Sequence, residues 1–229
     1  MPESLAAIRQ STSGSIKSLY AITPTDDASD VLAAKLSVAF DAGLGLLQYR
    51  RKQLSQQAKL AEARQYCEMA HAAGAIFIVN DDLDLALEIG ADGVHWGRHD
   101  VGTQDLDSQI QRAKKGKSDF IVGISCYNDF SRAIDAVTKH ADYIAFGSIY
   151  VSKTKPEADL ASLDLIHRAK ARFVTPIVAI GGITRDNVGE VVAVGADAAA
   201  VITDLWSAPL DEISERVATF QSYFTQSRF

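Results

Sequence analysis

Short apolar runs alternate with longer segments of helical spacing along almost the whole chain. Runs of strand character fall at Ser18–Ile22, Gly45–Tyr49, Ile76–Val79, Gly93–His95, Phe120–Gly123, Tyr143–Phe146, Ile177–Ile180 and Ala198–Ile202. They are continuously apolar rather than alternating, the pattern of parallel strands buried on both faces. The segments between them open and close with capping residues. Ser29-Asp30 leads into VLAAKLSVAF, and Ser55 leads into QQAKLAEARQYCEMAHAAG, which Gly74 closes. Asn128 opens DFSRAIDAVTKH, Thr184 opens RDNVGEVVAVG with Gly195 at its end, and Asp211 opens EISERVATFQSYF. A small polar residue before a periodic segment and a glycine after it mark the two ends of a helix.

Eight such units with no break in composition predict an α/β chain forming a single (β/α)8 TIM barrel. A doubly wound open sheet is the other arrangement of the same elements. Residues 1–15, small and polar, read as a flexible N-terminal tail, and 16–229 as the catalytic barrel domain. A length of 229 residues with 47% hydrophobic content is enough for one sizeable core.

Net charge of −6 at pH 7 argues against nucleic acid or an anionic membrane as partner. Neither a secretory leader nor an apolar run of about 18 residues is present, so the expected compartment is the cytoplasm. Cys67 and Cys126 stand far apart and outside any CxxC pattern, which offers neither a zinc site nor a disulfide framework.

In a (β/α)8 barrel the chemistry sits at the C-terminal ends of the strands, where the βα loops converge. Polar residues do follow the apolar runs. After the second run stands Gln48-Tyr49-Arg50-Arg51-Lys52. Strand alternation sends Gln48, Arg50 and Lys52 one way and Tyr49 and Arg51 the other. The three cations of this segment suit a polyphosphate, although a solvated basic turn would have the same composition.

Asn80-Asp81-Asp82 follows the third run and His95-Trp96-Gly97-Arg98-His99-Asp100 the fourth. Adjacent strands lie about 4.8 Å apart, so Asp81 and Asp100 could face each other across adjacent loops, where two carboxylates suit a hard divalent cation such as Mg2+. Capping of DLDLALEIG is the structural alternative for Asp81 or Asp82. His95 and His99 read as hydrogen-bonded loop or barrel-mouth residues without chemistry. Ser125 falls just past the fifth run, and Cys126 reads as a small buried filler. Ser152-Lys153-Thr154-Lys155 before Pro156 is a donor-rich loop suited to an anion, or else a plain exposed one. Gly181-Gly182 after the seventh run and Ile202-Thr203 at the end of the eighth suit a phosphate held by backbone N–H groups.

Six segments in order from Leu19 to Thr203 resemble the thiamine phosphate synthase family: LYAITP, GLGLLQYRRK, IVNDDLDLALEIGADGVHWGRHD, VGISCYN, YIAFGSIYVSKTKPEA and PIVAIGGITRDNVGEVVAVGADAAAVIT. The resemblance implies a Mg2+-dependent transferase. Its substrates would be a 4-amino-5-hydroxymethyl-2-methylpyrimidine diphosphate and a 4-methyl-5-hydroxyethylthiazole phosphate or its carboxylated form. Its products would be thiamine phosphate and pyrophosphate. Gln48, Arg50, Lys52, Asn80, Ser125 and Lys155 would hold the pyrimidine diphosphate, with Tyr49 and Arg51 in the same binding segment. Arg50, Lys52, Ser125 and Lys155 would act in catalysis, and Asp81 and Asp100 would hold the metal. Ser152, Lys153, Thr154, Gly182, Ile202 and Thr203 would receive the thiazole phosphate.

Ser152 stands where that family often has Thr, Ser148 where it often has Pro, and Cys126-Tyr127 where Thr-His is usual. A thiazole tautomerase of the same barrel type would need a histidine where Tyr127 stands. A non-catalytic phosphometabolite-binding barrel is the remaining rival. Self-association into a homo-oligomer is left open.

Overall fold

The computed structural model describes residues 16–51, 53–97, 106–115, 117–151 and 159–226. The strands are β1 (Ser18–Ile22), β2 (Leu46–Tyr49), β3 (Ile76–Asn80), β4 (Gly93–Trp96), β5 (Ile121–Tyr127), β6 (Tyr143–Phe146), β7 (Ile177–Ile180) and β8 (Ala198–Val201). The helices are α1 (Ser29–Asp41), α2 (Gln56–Ala72), α3 (Leu83–Ile89), α4 (Leu106–Lys114), α5 (Phe130–Thr138), α6 (Leu163–Arg172), α7 (Val188–Ala193), α8 (Thr203–Trp206) and α9 (Ile213–Gln226). The strands pair in sequence order into a closed barrel, and β8 returns to pair with β1 in parallel. The expected (β/α)8 architecture is therefore the observed one, and the open sheet is excluded.

Alternation along each strand divides the apolar residues between two layers. Tyr20, Ile22, Leu46, Ile78, Ile121, Tyr143, Val178 and Ala200 pack inside the barrel. Leu19, Ala21, Leu47, Tyr49, Phe77, Val79, Val94 and Val122 pack outward against the helices. Large inward residues lie beside small ones: Tyr20 is level with Ala200 on β8, and Tyr143 is level with Gly123 on β5. A Cβ at Gly123 would lie 1.9 Å from Tyr143 Cζ, so only glycine admits that ring.

Several boundaries differ from the sequence expectation for identifiable reasons. β5 continues to Tyr127 through a register shift between Ser125 and Tyr127, because Ile124 and Cys126 go on packing outward on either side of Ser125. Helix α5 is capped by Asp129, which accepts from the N–H groups of Ser131 and Arg132 at 2.8 and 3.2 Å, rather than by Asn128. Helix α7 starts after a turn in which Asn187 Oδ1 accepts from Thr184 N–H at 2.8 Å. Helix α8 is an unanticipated short helix after β8. Its Trp206 is buried, and the indole N–H donates 2.7 Å to the Ile22 carbonyl.

At the opposite end of the barrel one device occurs three times. Gly90, His140 and Gly195 adopt left-handed backbone, with φ of 73°, 66° and 96°. Each is followed by a buried alanine and then an aspartate: Asp92, Asp142 and Asp197. These carboxylates accept from the N–H groups of Phe77, Val122 and Ile177 at 2.8, 2.8 and 2.9 Å. Each thereby latches the strand entering one unit to the strand entering the next: β3 to β4, β5 to β6 and β7 to β8. Lys117, Lys114 and Lys170 neutralise the three carboxylates.

Loss of the acceptor while Val122 N–H stays buried costs about 1–3 kcal/mol. Asp142→Ala is therefore expected to destabilise the barrel by that amount in urea unfolding, and Asp142→Asn, which keeps an acceptor oxygen, by less.

Candidate functional site

A candidate site lies where the segments after β2 and β3 meet, beside the end of β4. Gln48 points into the barrel, almost fully buried, and its Nε2 donates 3.0 Å to the Tyr20 hydroxyl. Arg50, the next inward residue, has its backbone fixed by Thr23. Its N–H donates to Thr23 Oγ1 at 2.8 Å, and that hydroxyl donates to the Arg50 carbonyl at 3.2 Å. The Arg50 side chain lines a cavity of about 430 Å³ together with Asn80, Asp81, Asp82 and Lys59.

Tyr49 and Arg51 go the other way along the strand, and both also border that cavity. Arg51 is buried, its Nε and Nη2 donating to Glu62 at 3.0 and 3.3 Å. Its Nη1 donates to the carbonyls of Pro24 and Thr25 at 3.1 and 3.2 Å. The Tyr49 hydroxyl donates to the same Glu62 carboxylate at 3.0 Å. Burial, and then the Glu62 charge, hold the Tyr49 phenol protonated well above the usual tyrosine range. Breaking one side of such a buried pair strands the other charge, so Arg51 and Glu62 brace the base of the Arg50 segment against α2.

The consecutive aspartates after β3 separate in the same manner. Asp82 caps α3, accepting from Leu85 N–H at 3.0 Å, and pairs with Lys59 at 2.7 Å. Burial raises its pKa, but the Lys59 and Leu85 hydrogen bonds outweigh that and bring it below the usual carboxylate value. Asp81 instead adopts left-handed backbone, with φ of 67°. Its N–H donates to the His95 carbonyl at 2.8 Å, and its own carbonyl accepts from the Trp96 indole at 3.2 Å. Strand β4 thus holds Asp81 from both sides, and Asp81 lines both the first cavity and a neighbouring one of about 410 Å³. Among the described residues no group of three or more His, Cys, Asp or Glu converges to hold a metal ion. Asp100, the second expected ligand, lies outside the described residues, as do Lys52, Ser152, Lys153, Thr154 and Lys155.

Ser125 lies within β5 rather than beyond it. Its Oγ is 2.8 Å from His95 Nε2, and its carbonyl accepts from Arg132 Nε at 2.7 Å. Arg132 also donates 3.0 Å to the Gly97 carbonyl, tying β5 to the residue after β4. His95 is not a loop residue: it is buried inside β4, level with Gly123. The alternation of Gly93 and His95 against Val94 and Trp96 carried that signal. Cys126 is buried as expected, and burial pushes its thiol up to about 12. Cys67 lies 3.8 Å from His71, itself bonded to Asp92, but burial raises its thiol to about 11. Burial thus holds both side chains as thiols.

On the far side, Gly181 and Gly182 have φ of 105° and 63°. A Cβ on Gly181 would meet Ser148 Oγ at 2.2 Å, and one on Gly182 would meet the Val151 carbonyl at 2.8 Å. The N–H groups of Ile149 and Tyr150 donate to the carbonyls of Ile180 and Gly181, each at 2.9 Å. The segments following β6 and β7 are thereby zipped together. Ile202 is the N-cap residue of α8 and Thr203 its first residue. Asp204 in that helix accepts from Arg185 Nε at 3.1 Å, joining the loops after β7 and β8.

A closed parallel barrel with a cation, carboxylates and a short extra helix after its last strand, all at the C-terminal mouth, has the architecture of the (β/α)8 enzymes that bind phosphate at that end. A family model described as thiamine monophosphate synthase matches residues 19–205. Thiamine-phosphate synthase of Aromatoleum aromaticum is 41% identical over 209 residues, covering 91% of this chain and 97% of that protein. Its counterpart in Bordetella bronchiseptica is 43% identical over 197 residues, covering 83% and 88%. The thiamine phosphate pyrophosphorylase structure from Pyrococcus furiosus superposes with a TM-score of 0.78 at 25% identity, covering 94% and 98%. The chain belongs to the thiamine monophosphate synthase family and is a transferase.

The division of labour between the two aspartates has a measurable signature. Asp82→Ala removes the α3 cap and is expected to cost about 1 kcal/mol at pH 7. Because the folded-state pKa of Asp82 is depressed, its stabilisation is complete above the unfolded value of about 3.9. It is lost as pH falls through the lower folded-state value. The difference between variant and parent in urea unfolding should therefore shrink in acid below that point.

Proposed function

We propose that this chain joins a 4-amino-5-hydroxymethyl-2-methylpyrimidine diphosphate to a 4-methyl-5-hydroxyethylthiazole phosphate or its carboxylated form, with Mg2+, releasing pyrophosphate. The observation that carries the reading is the meeting of Arg50, Asn80 and Asp81 on one cavity, beside inward-facing Gln48 and Ser125. A guanidinium, an amide and a carboxylate in that order suit the diphosphate end of the first substrate. Gln48 and Ser125, deeper in the barrel, suit its heterocycle.

The residues fit the metal. Mg2+ takes one or two protein carboxylates and completes its shell with water and substrate phosphate oxygens. Asp81 offers a hard oxygen on a backbone pinned by His95 and Trp96. Asp81 and Asp100 would hold the ion, which when bound neutralises charge on the diphosphate.

In the reaction the bond between the pyrimidine methylene carbon and the diphosphate oxygen breaks, its electron pair leaving with pyrophosphate. A bond from the thiazole nitrogen to that carbon replaces it. Arg50, Lys52 and Lys155 would stabilise the negative charge that grows on the leaving group. Gln48, Asn80 and Ser125 would hold the aminopyrimidine so that its ring electrons support the electron-poor carbon. Ser152, Lys153, Thr154 and Gly182, with the backbone of Ile202 and Thr203, would hold the thiazole phosphate in line for attack. No covalent enzyme intermediate is required, in keeping with two cysteines held as thiols. Both substrates carry phosphate charge that membranes retain, which supports a cytoplasmic setting.

Mixing the two phosphorylated heterocycles with Mg2+ and reading thiamine phosphate by its fluorescence after oxidation tests the activity. Uptake of ligand without pyrophosphate release would instead indicate a binding protein. Asp81→Asn isolates the carboxylate, since asparagine tolerates the left-handed backbone that residue 81 adopts. It should lower kcat/KM by roughly 10- to 100-fold at limiting Mg2+, with partial recovery as Mg2+ is raised. Unchanged turnover by the folded variant would remove Asp81 from the metal site.

A further inference from the structure

Five strands send polar side chains into one hydrogen-bonded row across the barrel interior. Gln48 Nε2 on β2 lies 3.0 Å from the Tyr20 hydroxyl on β1. That hydroxyl is 2.8 Å from the Tyr143 hydroxyl on β6. Tyr143 is 2.9 Å from His95 Nδ1 on β4, and His95 Nε2 is 2.8 Å from Ser125 Oγ on β5. We propose that His95, held by Tyr143 and Tyr20, is a positioning residue that fixes the Ser125 hydroxyl as a hydrogen-bond donor toward the substrate.

One arrangement of the protons, in which every group of the row is satisfied, gives the direction. The Gln48 amide nitrogen only donates, so the Tyr20 oxygen accepts. Tyr20 then gives its own proton to Tyr143, and Tyr143 gives its proton to His95 Nδ1. A neutral imidazole that accepts at Nδ1 carries its proton on Nε2. His95 therefore donates to Ser125 Oγ, and the serine proton is directed out of the row. Both phenols are fully buried and stay protonated, burial raising them well above the usual tyrosine range.

The surroundings are shaped for this row. The His95 ring stacks on Tyr143 with centroids 5.5 Å apart and planes 19° apart, which sets where Nε2 points. Gly123 makes the room that Tyr143 occupies. Neighbouring inward positions Ile78, Val178 and Ala200 are apolar. Packing alone would be served by more of the same, since buried polar groups stabilise only when every partner is in place. A fully satisfied row ending on the Ser125 hydroxyl has a use there.

The inference rests on the reading that Ser125 contacts substrate, and the test separates the two. Ser125→Ala comes first in the thiamine phosphate assay; full kcat in that variant overturns the contact and with it the proposal. His95→Leu should lower kcat about 10- to 100-fold, with KM changing less, and His95→Gln, which keeps an N–H in reach of Ser125, should recover part of the loss. In a Ser125→Ala background His95→Leu should have no further effect. Multiplying losses would mean that His95 acts independently of Ser125, and would overturn the proposal. If His95→Leu does not fold, Tyr143→Phe breaks the same row with little change in volume and completes the cycle. Independently of turnover, a two-bond 1H–15N spectrum of the parent should show His95 protonated on Nε2. A proton on Nδ1 would reverse the row and sink the idea, whatever Ser125 does.

Discussion

Closure of the sheet is the constraint from which the rest follows. With β8 paired to β1 there is no edge and no solvent-facing side, so each strand residue packs either inward on the axis or outward on a helix. The two layers accept different residues. The outer one takes branched and aromatic side chains that fill the spaces between helices. The inner one narrows, and it fills by placing Tyr20 against Ala200 and Tyr143 against Gly123. A polar residue survives inside only if its neighbours complete its hydrogen bonds, and the interior of this barrel contains such a group at its active end.

The same constraint explains why adjacent residues with the same charge have different fates. Arg50 and Arg51 differ by one step along the chain, and that step carries one to the mouth and the other beneath it, onto Glu62. Asp81 and Asp82 differ by a turn of the backbone. Left-handed φ at Asp81 ends β3 and aims its successor at the start of α3, where a carboxylate meets the helix dipole. In each pair one member supports the geometry that holds the other at the mouth.

Much of this was legible beforehand. The apolar runs located all eight strands, and the alternation of Gln48-Tyr49-Arg50-Arg51 already separated the two arginines. Other features depended on partners distant in sequence. His95 looked like a mouth residue because nothing local reveals that Tyr143, 48 positions on, bonds its ring. The end of β5 was hidden because Ser125 interrupts an apolar run, although its neighbours go on packing. Helix α8, at four residues, is too short to have a period. The cap on α3 was readable as a choice between two aspartates, and only the left-handed backbone at Asp81 decided it.

The latches at the far end of the barrel have a consequence for its motions. They join β3 to β4, β5 to β6 and β7 to β8, leaving one pair of strands without a counterpart. Before β2 the chain repeats the left-handed turn at Gly43 and the buried residue at Leu44, but Gly45 stands where the carboxylate would be. The ring is three stapled leaves and one unstapled leaf. Breathing of the backbone costs least where fewest hydrogen bonds must open, which places it at β1 and β2, the strands that present Thr23, Gln48 and Arg50. Of the four leaves, the softest therefore lies beneath the cationic side of the mouth.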